Sequence, residues 1–250
     1  MATALALVTG TSSGIGSTVA DQLLAAGWHV LGMSRRTVQR AHPAYMHITV
    51  DLADTGAVAK AAETQVASLL GERSWSRIGL VNNAAYGGRL GPLELVTPED
   101  LGRSHLVNVV APTWLMGFFI RTSPADVPLR IVNVSSGAAV RPVHGLGAYC
   151  SSKAALRMAG MVLGAEIESP LRRTRVPRDT SILSYEPGVV ETPMQQAARE
   201  APAEDFPWVG LFLDFKAQGV VVAPDLPAAE IVSFLESPPG AAFTERRLAG

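Results

Sequence analysis

The sequence predicts a single α/β domain, a doubly wound parallel sheet with helices on both faces. Three observations carry this. Short β-rich runs alternate with longer helical patterns from Ala4 to Gly188. Those runs are apolar throughout rather than alternating apolar and polar, as in strands covered on both faces. A glycine-rich turn lies directly between the first strand and the first helix, where an open α/β sheet binds its ligand.

The elements follow in order. "ALALVTG" (4–10) is the first strand, "STVADQLLAAG" (17–27) the first helix with Gly27 as its stop, and "WHVLGMS" (28–34) the second strand. "YMHITVDL" (45–52) reads as a third strand, "TGAVAKAAETQVASLLG" (55–71) as a helix, and "RIGLVNNA" (77–84) as a fourth strand. A long helix over 97–120 opens on Thr97 as N-cap with Pro98 at the first helical position and Asp100 three residues after the cap, and it is expected to bend near Pro112. "LRIVNVSS" (129–136) is a fifth strand, "AYCSSKAALRMAGMVLGAEIE" (148–168) a helix, and "DTSILSYEPG" (179–188) a sixth strand. The basic, proline-flanked "PLRRTRVPR" (170–178) reads as an exposed loop within the domain. No repeat, low-complexity tract or linker interrupts 1–250.

Composition narrows the function. The chain has 250 residues, 48% apolar and 17% charged, with Lys+Arg 21 against Asp+Glu 22. That balance gives no electrostatic bias toward nucleic acid or anionic membrane, so small molecules are the expected partners. The single cysteine, Cys150, forms no internal disulfide, and the first strand begins by Ala4 with no secretory segment before it, so a cytoplasmic location is expected. Every apolar run is broken well short of the ~20 residues a membrane helix needs. His29, His42, His47, His105 and His144 have no metal-ligand spacing, so no metal is expected. Cys150 is read as a small packing residue.

"TGTSSGIG" (9–16) follows the first strand and opens the first helix. Backbone N–H groups of Ser12, Ser13, Gly14, Ile15 and Gly16 can face a pyrophosphate at the positive helix end, with Gly10, Gly14 and Gly16 allowing close approach. A ligand-free glycine turn is the plainer alternative; the strand before and the helix after favour the phosphate. No Asp or Glu occurs from Gln22 to Val50, where an acid would hold the 2′-hydroxyl of NAD. Ser34, Arg35 and Arg36 end the second strand instead, a hydroxyl and two guanidinium groups suited to a 2′-phosphate. The expected cofactor is NADP(H).

Tyr149 and Lys153 are i and i+4 on one helix face, about 6 Å apart along the axis. A phenol near its usual pKa of about 10 is a poor acid and base at neutrality, and a neighbouring ammonium is expected to draw that value down. Ser136 lies thirteen residues before Tyr149 at the end of the fifth strand, where its hydroxyl can hold a substrate oxygen. Each of these alone reads as an ordinary surface or helix residue; together, at strand and helix ends, they read as a site.

On TGxxxGIG at 9–16, Asp51-Leu52, "NNAA" at 82–85, Asn108, Ser136, Tyr149-xxx-Lys153 and "PGVVET" at 187–192, the chain resembles the short-chain dehydrogenase/reductases, whose fold is Rossmann-type. The resemblance implies a catalytic set of Asn108, Ser136, Tyr149 and Lys153, with Asn108 holding a water that links Lys153 to solvent. It implies that Asp51 and Leu52 flank the adenine, that Asn83 and Ala84 line the cofactor, and that Pro187, Gly188, Val190 and Thr192 meet the nicotinamide end, with Gly188 also near substrate. Ala85 departs from the usual glycine of that motif.

"RPVHGLGAYCSSKAALRM" and "YEPGVVETPMQQAARE" narrow the resemblance to the sepiapterin reductase-like branch, whose members reduce pterin side-chain carbonyls or vicinal diketones such as benzil with NADPH. Pterin enzymes anchor substrate with an aspartate near the C-terminus; here Thr244 falls at that place and Glu245, the candidate substrate residue, sits one position along, a shift that favours a benzil-like diketone over a pterin. The segment 193–218 is expected to be a substrate lid, made apolar by Phe206, Trp208, Leu211, Phe212 and Phe215, although packing onto the sheet is the competing use of these side chains. The leading expectation is an NADPH-dependent carbonyl reductase, a homodimer or homotetramer, with Tyr149 as proton donor. A non-catalytic NADP(H) sensor, an enzyme oxidising a secondary alcohol, and a sugar-nucleotide epimerase are the other readings; intact Ser136, Tyr149 and Lys153 weigh against the sensor, and the chain's length against the epimerase.

Overall fold

A computed structural model describes residues 3–72, 75–171, 176–177 and 179–248. Seven parallel strands form one sheet in the order β3-β2-β1-β4-β5-β6-β7: β1 (Ala4–Thr9), β2 (His29–Ser34), β3 (Tyr45–Thr49), β4 (Arg77–Asn82), β5 (Leu129–Val134), β6 (Thr180–Glu186) and β7 (Phe243–Arg247). The order reverses between β1 and β4, so a crevice opens beyond their carboxyl ends. One face carries α1 (Gly14–Ala25) and α9 (Asp225–Leu235), whose Val19, Leu23, Ile231 and Leu235 pack on Val8, Val30 and Val132. The other carries α2 (Thr55–Ala61), α3 (Ala67–Glu72), α4 (Pro98–His105), α5 (Ala111–Thr122) and α6 (Gly147–Glu168), burying Val58, Leu115, Phe119 and Leu156 against Leu7, Leu80 and Ile131. Burial on both faces explains why these strands carry no alternation.

Local chemistry sets the ends. Gly27 takes φ +83° and donates to the Leu24 carbonyl while Trp28 donates to Leu23, closing α1. Thr97 accepts from the Asp100 N–H and caps α4. The long helix expected over 97–120 is continuous but widens into a π-turn at Leu106–Val110, immediately before Pro112. Most of the basic loop expected at 170–178 lies outside the described residues. Two elements had no sequence expectation. α9 fills the face beside α1, and β7 adds an edge strand through Ile182↔Phe243 and Ser184↔Glu245. Between β6 and α9, α7 (Pro193–Glu200) and α8 (Val209–Ala217) stand off the sheet. Among the described residues no helix is long and apolar enough to cross a membrane, and no three His, Cys, Asp or Glu side chains gather in a metal-binding group.

Candidate active site

The glycine-rich loop is held from two sides. Gly10 at φ +76° donates to the Met33 carbonyl at 2.8 Å, and Gly14 takes φ +56°. The three glycines, expected to clear room for a pyrophosphate, also clear room for protein. A Cβ on Gly10 or Gly16 would come 2.7 or 2.3 Å from Asn83 Nδ2, and one on Gly14 would sit 3.1 Å from Thr192 Cγ2. Asn83 Nδ2 donates to the Thr9 carbonyl at 2.9 Å, and the N–H groups of Asn83 and Ala84 both donate to Thr9 Oγ1 at 3.0 Å. Thr9 and Asn83 thus clamp β1 to β4 beneath the loop.

Ser13 caps α1 without a side-chain hydrogen bond, and no acid occupies the helix's first turn. The N–H groups at Gly14, Ile15 and Gly16 therefore leave an anion-accepting end. Beside it, Arg36 Nη2 donates to Ser12 Oγ at 3.1 Å and reaches Ser13 Oγ at 3.5 Å, and Arg35 is exposed. Buried Ser34 donates to the Arg36 carbonyl at 2.7 Å. A helix end without a side-chain cap, with the Arg36 guanidinium over it and exposed Arg35 next in the chain, fits a dinucleotide phosphate. Further along the edge, Leu52 is buried and Asp51 accepts from the Ala53 N–H at 3.0 Å and from Arg103 at 2.7 Å. Burial alone would push the Asp51 carboxyl up; the Ala53 and Arg103 bonds outweigh it and hold it below the usual range.

The structure brings Ser136, Tyr149 and Lys153 together. Ser136 caps a short turn at Gly137–Ala139, accepting from the Ala138 N–H at 3.2 Å, and its hydroxyl lies near enough to Tyr149 to favour the phenolate. Lys153, 2% exposed, lies 5.6 Å from the Tyr149 ring centroid and donates to the Val134 carbonyl at 2.7 Å. Burial pushes Tyr149 up to about 12, against the lowering by Ser136, and brings Lys153 down to about 8. This corrects the sequence expectation. Lys153 directs its ammonium at a backbone carbonyl, and desolvation outweighs the lowering of Tyr149, so the phenol stays protonated at neutral pH.

Asn108 sits in the middle of the π-turn. Its Oδ1 accepts from the Tyr86 N–H at 2.7 Å; its Nδ2 donates to the Tyr86 carbonyl at 2.8 Å and to Ser152 Oγ at 2.9 Å. Ser152 in turn donates to the Tyr149 carbonyl at 2.8 Å. Asn108 therefore locks the loop after β4 onto the turn of α6 that carries Tyr149 and Lys153. Tyr86, Ser152 and Ser104, whose Oγ lies 3.4 Å from Asn108 Nδ2, were not singled out in the sequence; a serine three residues after Tyr149 and directly before Lys153 is the signal that was present.

Glu186 and Arg141 were also missed. Glu186 ends β6 directly before Pro187-Gly188 and pairs with Arg141 at 3.0 Å and Arg247 at 3.4 Å. A Cβ on Gly137, next to Ser136, would lie 2.8 Å from the Glu186 carboxylate. Glu245, expected near substrate, is placed elsewhere. It is level with Ser184, two residues short of the carboxyl edge, and Arg157 takes its carboxylate bidentately at 2.6 and 2.7 Å. Arg157 is eight residues beyond Tyr149, about 12 Å along the helix. The strand register, not the tail's sequence distance, decides that position.

Val190 bridges to Val222, and Gly188 takes φ +74°, turning the chain over the edge of the sheet. Thr192 accepts from the Gln195 N–H and caps α7. Glu191 is gripped by Arg199 of α7 and Lys216 of α8. Phe206 and Phe212 are buried with Ala198 in a small core of their own, Trp208 and Phe215 are half-buried, and Leu211 is 44% exposed. Packing thus claims Phe206 and Phe212. Cys150 is half-buried, its sulfur 3.9 Å from the Val143 carbonyl.

A doubly wound sheet whose carboxyl edge gathers an anion-accepting helix end, a Ser–Tyr hydroxyl pair and a buried Lys is the framework of a nucleotide-dependent oxidoreductase. The chain belongs to the short-chain dehydrogenase family, whose model, described as short chain dehydrogenase, matches residues 4–203. It is 31% identical to a benzil reductase ((S)-benzoin forming) of Bacillus cereus over 92% of this chain and 93% of that one. A sepiapterin reductase of Bos taurus is 28% identical over 93% of this chain and 90% of its own. Among solved structures, a short-chain dehydrogenase/reductase from Burkholderia vietnamiensis is 31% identical, with a TM-score of 0.66 over 80% of this chain and 92% of that one.

Proposed function

We propose that the protein is an NADPH-dependent carbonyl reductase acting on a small carbonyl or dicarbonyl compound. The observation that carries this reading is the gathering of Ser136, Tyr149 and buried Lys153 at the carboxyl end of β5, with the Lys153 ammonium 5.6 Å from the Tyr149 ring and burial holding the phenol protonated. Bound NADPH supplies the hydride for the carbonyl carbon. Ser136 holds the carbonyl oxygen, and Tyr149 gives that oxygen its proton as charge develops there. Lys153 keeps a positive charge beside the ring. Pro112 has no N–H to offer the Asn108 carbonyl four residues earlier, which suits Asn108 to hold a water that returns a proton from solvent.

The cofactor choice rests on Arg35 and Arg36 directly after β2, oriented by the Ser34 bond to the Arg36 carbonyl, and on the absence of Asp or Glu between Gln22 and Val50. The benzil and sepiapterin reductases among the relatives support a diketone or pterin-like carbonyl, and the removal of Glu245 from the site favours the diketone. Residues 193–218 act as a lid, with Pro187, Gly188, Val190 and Thr192 as its base at the nicotinamide end. Exposed Val110, Met158 and Val162 on the α5–α6 side support a homodimer or homotetramer, and the lone cysteine supports a cytoplasmic location.

An NADPH-consumption assay with benzil and sepiapterin tests the reading. Benzil is expected to be reduced with NADPH preferred over NADH, and replacing Arg35 and Arg36 by Ala is expected to weaken NADPH by about ten- to a hundredfold while leaving NADH nearly unchanged. No turnover with any carbonyl overturns the reductase assignment; an NADH preference overturns the cofactor assignment.

A further inference from the structure

A chain of hydrogen bonds behind the sheet edge joins the glycine-rich loop to the turn that carries Arg35 and Arg36. Thr11 Oγ1, fully buried, lies 3.4 Å from the Tyr45 hydroxyl, and that hydroxyl lies 2.8 Å from His47 Nδ1. His47 Nε2 is 3.1 Å from the Arg36 carbonyl and 3.4 Å from Ser34 Oγ. A carbonyl only accepts, so Nε2 carries the proton and Nδ1 accepts from Tyr45. The same carbonyl also receives the Ser34 hydroxyl. The backbone of Arg36 is thus tied down at the residue whose guanidinium reaches over Ser12 and Ser13.

A second tie runs parallel to the first. Arg40 stacks 4.8 Å over the Tyr45 ring and pairs with Asp21 of α1 at 2.7 Å. It also donates to the Thr11 carbonyl at 3.3 Å and to Ser17 Oγ at 2.8 Å. β2 makes room for the crossing: a Cβ on Gly32 would come 2.2 Å from the Tyr45 hydroxyl and 2.8 Å from Thr11 Oγ1.

The geometry points to His47 as a positioning residue for cofactor selection, holding the Arg35–Arg36 turn, through Tyr45 and Thr11, in register with the phosphate-accepting loop. The inference deepens the NADP(H) reading and rests on it. His47 touches neither phosphate site itself. Its action is to fix the Arg36 backbone, so that the guanidinium groups are in place before the ligand arrives and less ordering is needed on binding. Burial lowers His47 from its usual value, outweighing the raising effect of the Arg36 and Ser34 backbone bonds, and Arg40 adds to the lowering; both keep the ring in the neutral form this arrangement uses. None of the family motifs falls within β3 (Tyr45–Thr49).

Titrations with NADPH and NADH on wild type, His47→Phe, His47→Gln and Tyr45→Phe decide the matter. His47→Phe is expected to weaken NADPH by about five- to tenfold with NADH within about twofold, the loss of one or two hydrogen bonds' worth of pre-organisation. His47→Gln, whose amide can accept from Tyr45 and donate to Arg36, is expected to recover most of that loss. Tyr45→Phe, which keeps the ring under Arg40 and removes only the hydroxyl, is expected to reproduce the selective loss even where His47→Phe fails to fold. In turnover the change is expected in the KM for NADPH rather than in kcat. Equal weakening of both cofactors, an unchanged NADPH-to-NADH ratio in Tyr45→Phe, or no recovery in His47→Gln overturns the inference while the wild-type preference stands. A wild type without NADPH preference overturns the cofactor reading and this inference together.

Discussion

Around Tyr149, Asn108, Ser152 and Lys153 are buried, and the side chains that hold the region together are bonded inside the fold: Asn108 on Tyr86 and Ser152, Lys153 on Val134, Asn83 on Thr9. The α7–α8 segment is built differently. It has three buried side chains, Ala198, Phe206 and Phe212, an ion-pair cluster on Glu191, and Leu211 and Leu213 facing solvent. The first region is assembled from the ends of β1, β4 and β5 and cannot shift without breaking the sheet. The second depends on a few contacts of its own and can open locally. On the proposed reading chemistry belongs to the rigid region and substrate selection to the adjustable one, so substitutions in the two are expected to separate kcat from KM.

The sharpest test lies at the rigid end. Tyr149→Phe is expected to lower the reduction rate by about 10²- to 10⁴-fold, because the proton donor is lost while the ring stays. NADPH binding, followed by fluorescence titration, is expected to persist; turnover within about tenfold of wild type would break the assignment.

Next in size is Lys153→Met, expected to lower the neutral-pH rate by about ten- to a hundredfold and to change the pH profile. With Lys153 at about 8 and Tyr149 at about 12, both carry their protons below pH 8. As pH rises through the lysine value the ammonium is lost first and the wild-type rate falls, whereas the variant has no such inflection. A single-turnover profile reads this directly, and an inflection that survives in Lys153→Met shows that another group is titrating.

At the adjustable end, Phe206→Ala removes a fully buried ring that a Cβ on Gly145 would approach to 2.5 Å. The local cost is about 3–5 kcal/mol, expected as faster amide exchange through α7 and α8 with the sheet unchanged, and as a raised substrate KM with a smaller change in kcat. Uniformly faster exchange through β1, β4 and β5 would erase the distinction between the two regions. The smallest effect is expected from Glu245→Ala. Its pair with Arg157 is partly exposed, with 42% and 27% of the two side chains open to solvent, worth about 1 kcal/mol or less, and KM for benzil and for sepiapterin is expected to stay within about twofold. A larger, sepiapterin-specific rise would return Glu245 to the substrate site.

Most of the rigid region was legible in the residues, and most of the adjustable one was not. Six strands, the phosphate loop and the Ser136–Tyr149–Lys153 set follow from apolar runs, glycines and an i, i+4 spacing, all of them local signals. "FTERR" gave no strand signal because an edge strand with solvent on one side tolerates charge. The aromatic content of 193–218 was visible, but which rings pack and which face outward depends on Gly145 and Leu146 from a distant loop.

By itself, then, the sequence determined the doubly wound α/β class, the glycine-rich turn that opens α1 and the placing of Tyr149 and Lys153 on one helix face, because hydrophobic periodicity, glycine conformation and helical spacing act over a few residues. Only the tertiary structure decided that Lys153 bonds Val134 rather than Tyr149, that Gly10 and Gly16 clear Asn83, and that His47 meets Arg36. It also placed Glu186, and not Glu245, beside Ser136. Each of these depends on strand register and on burial between segments far apart in the chain, which bring desolvation and hydrogen-bond partners that no local pattern encodes.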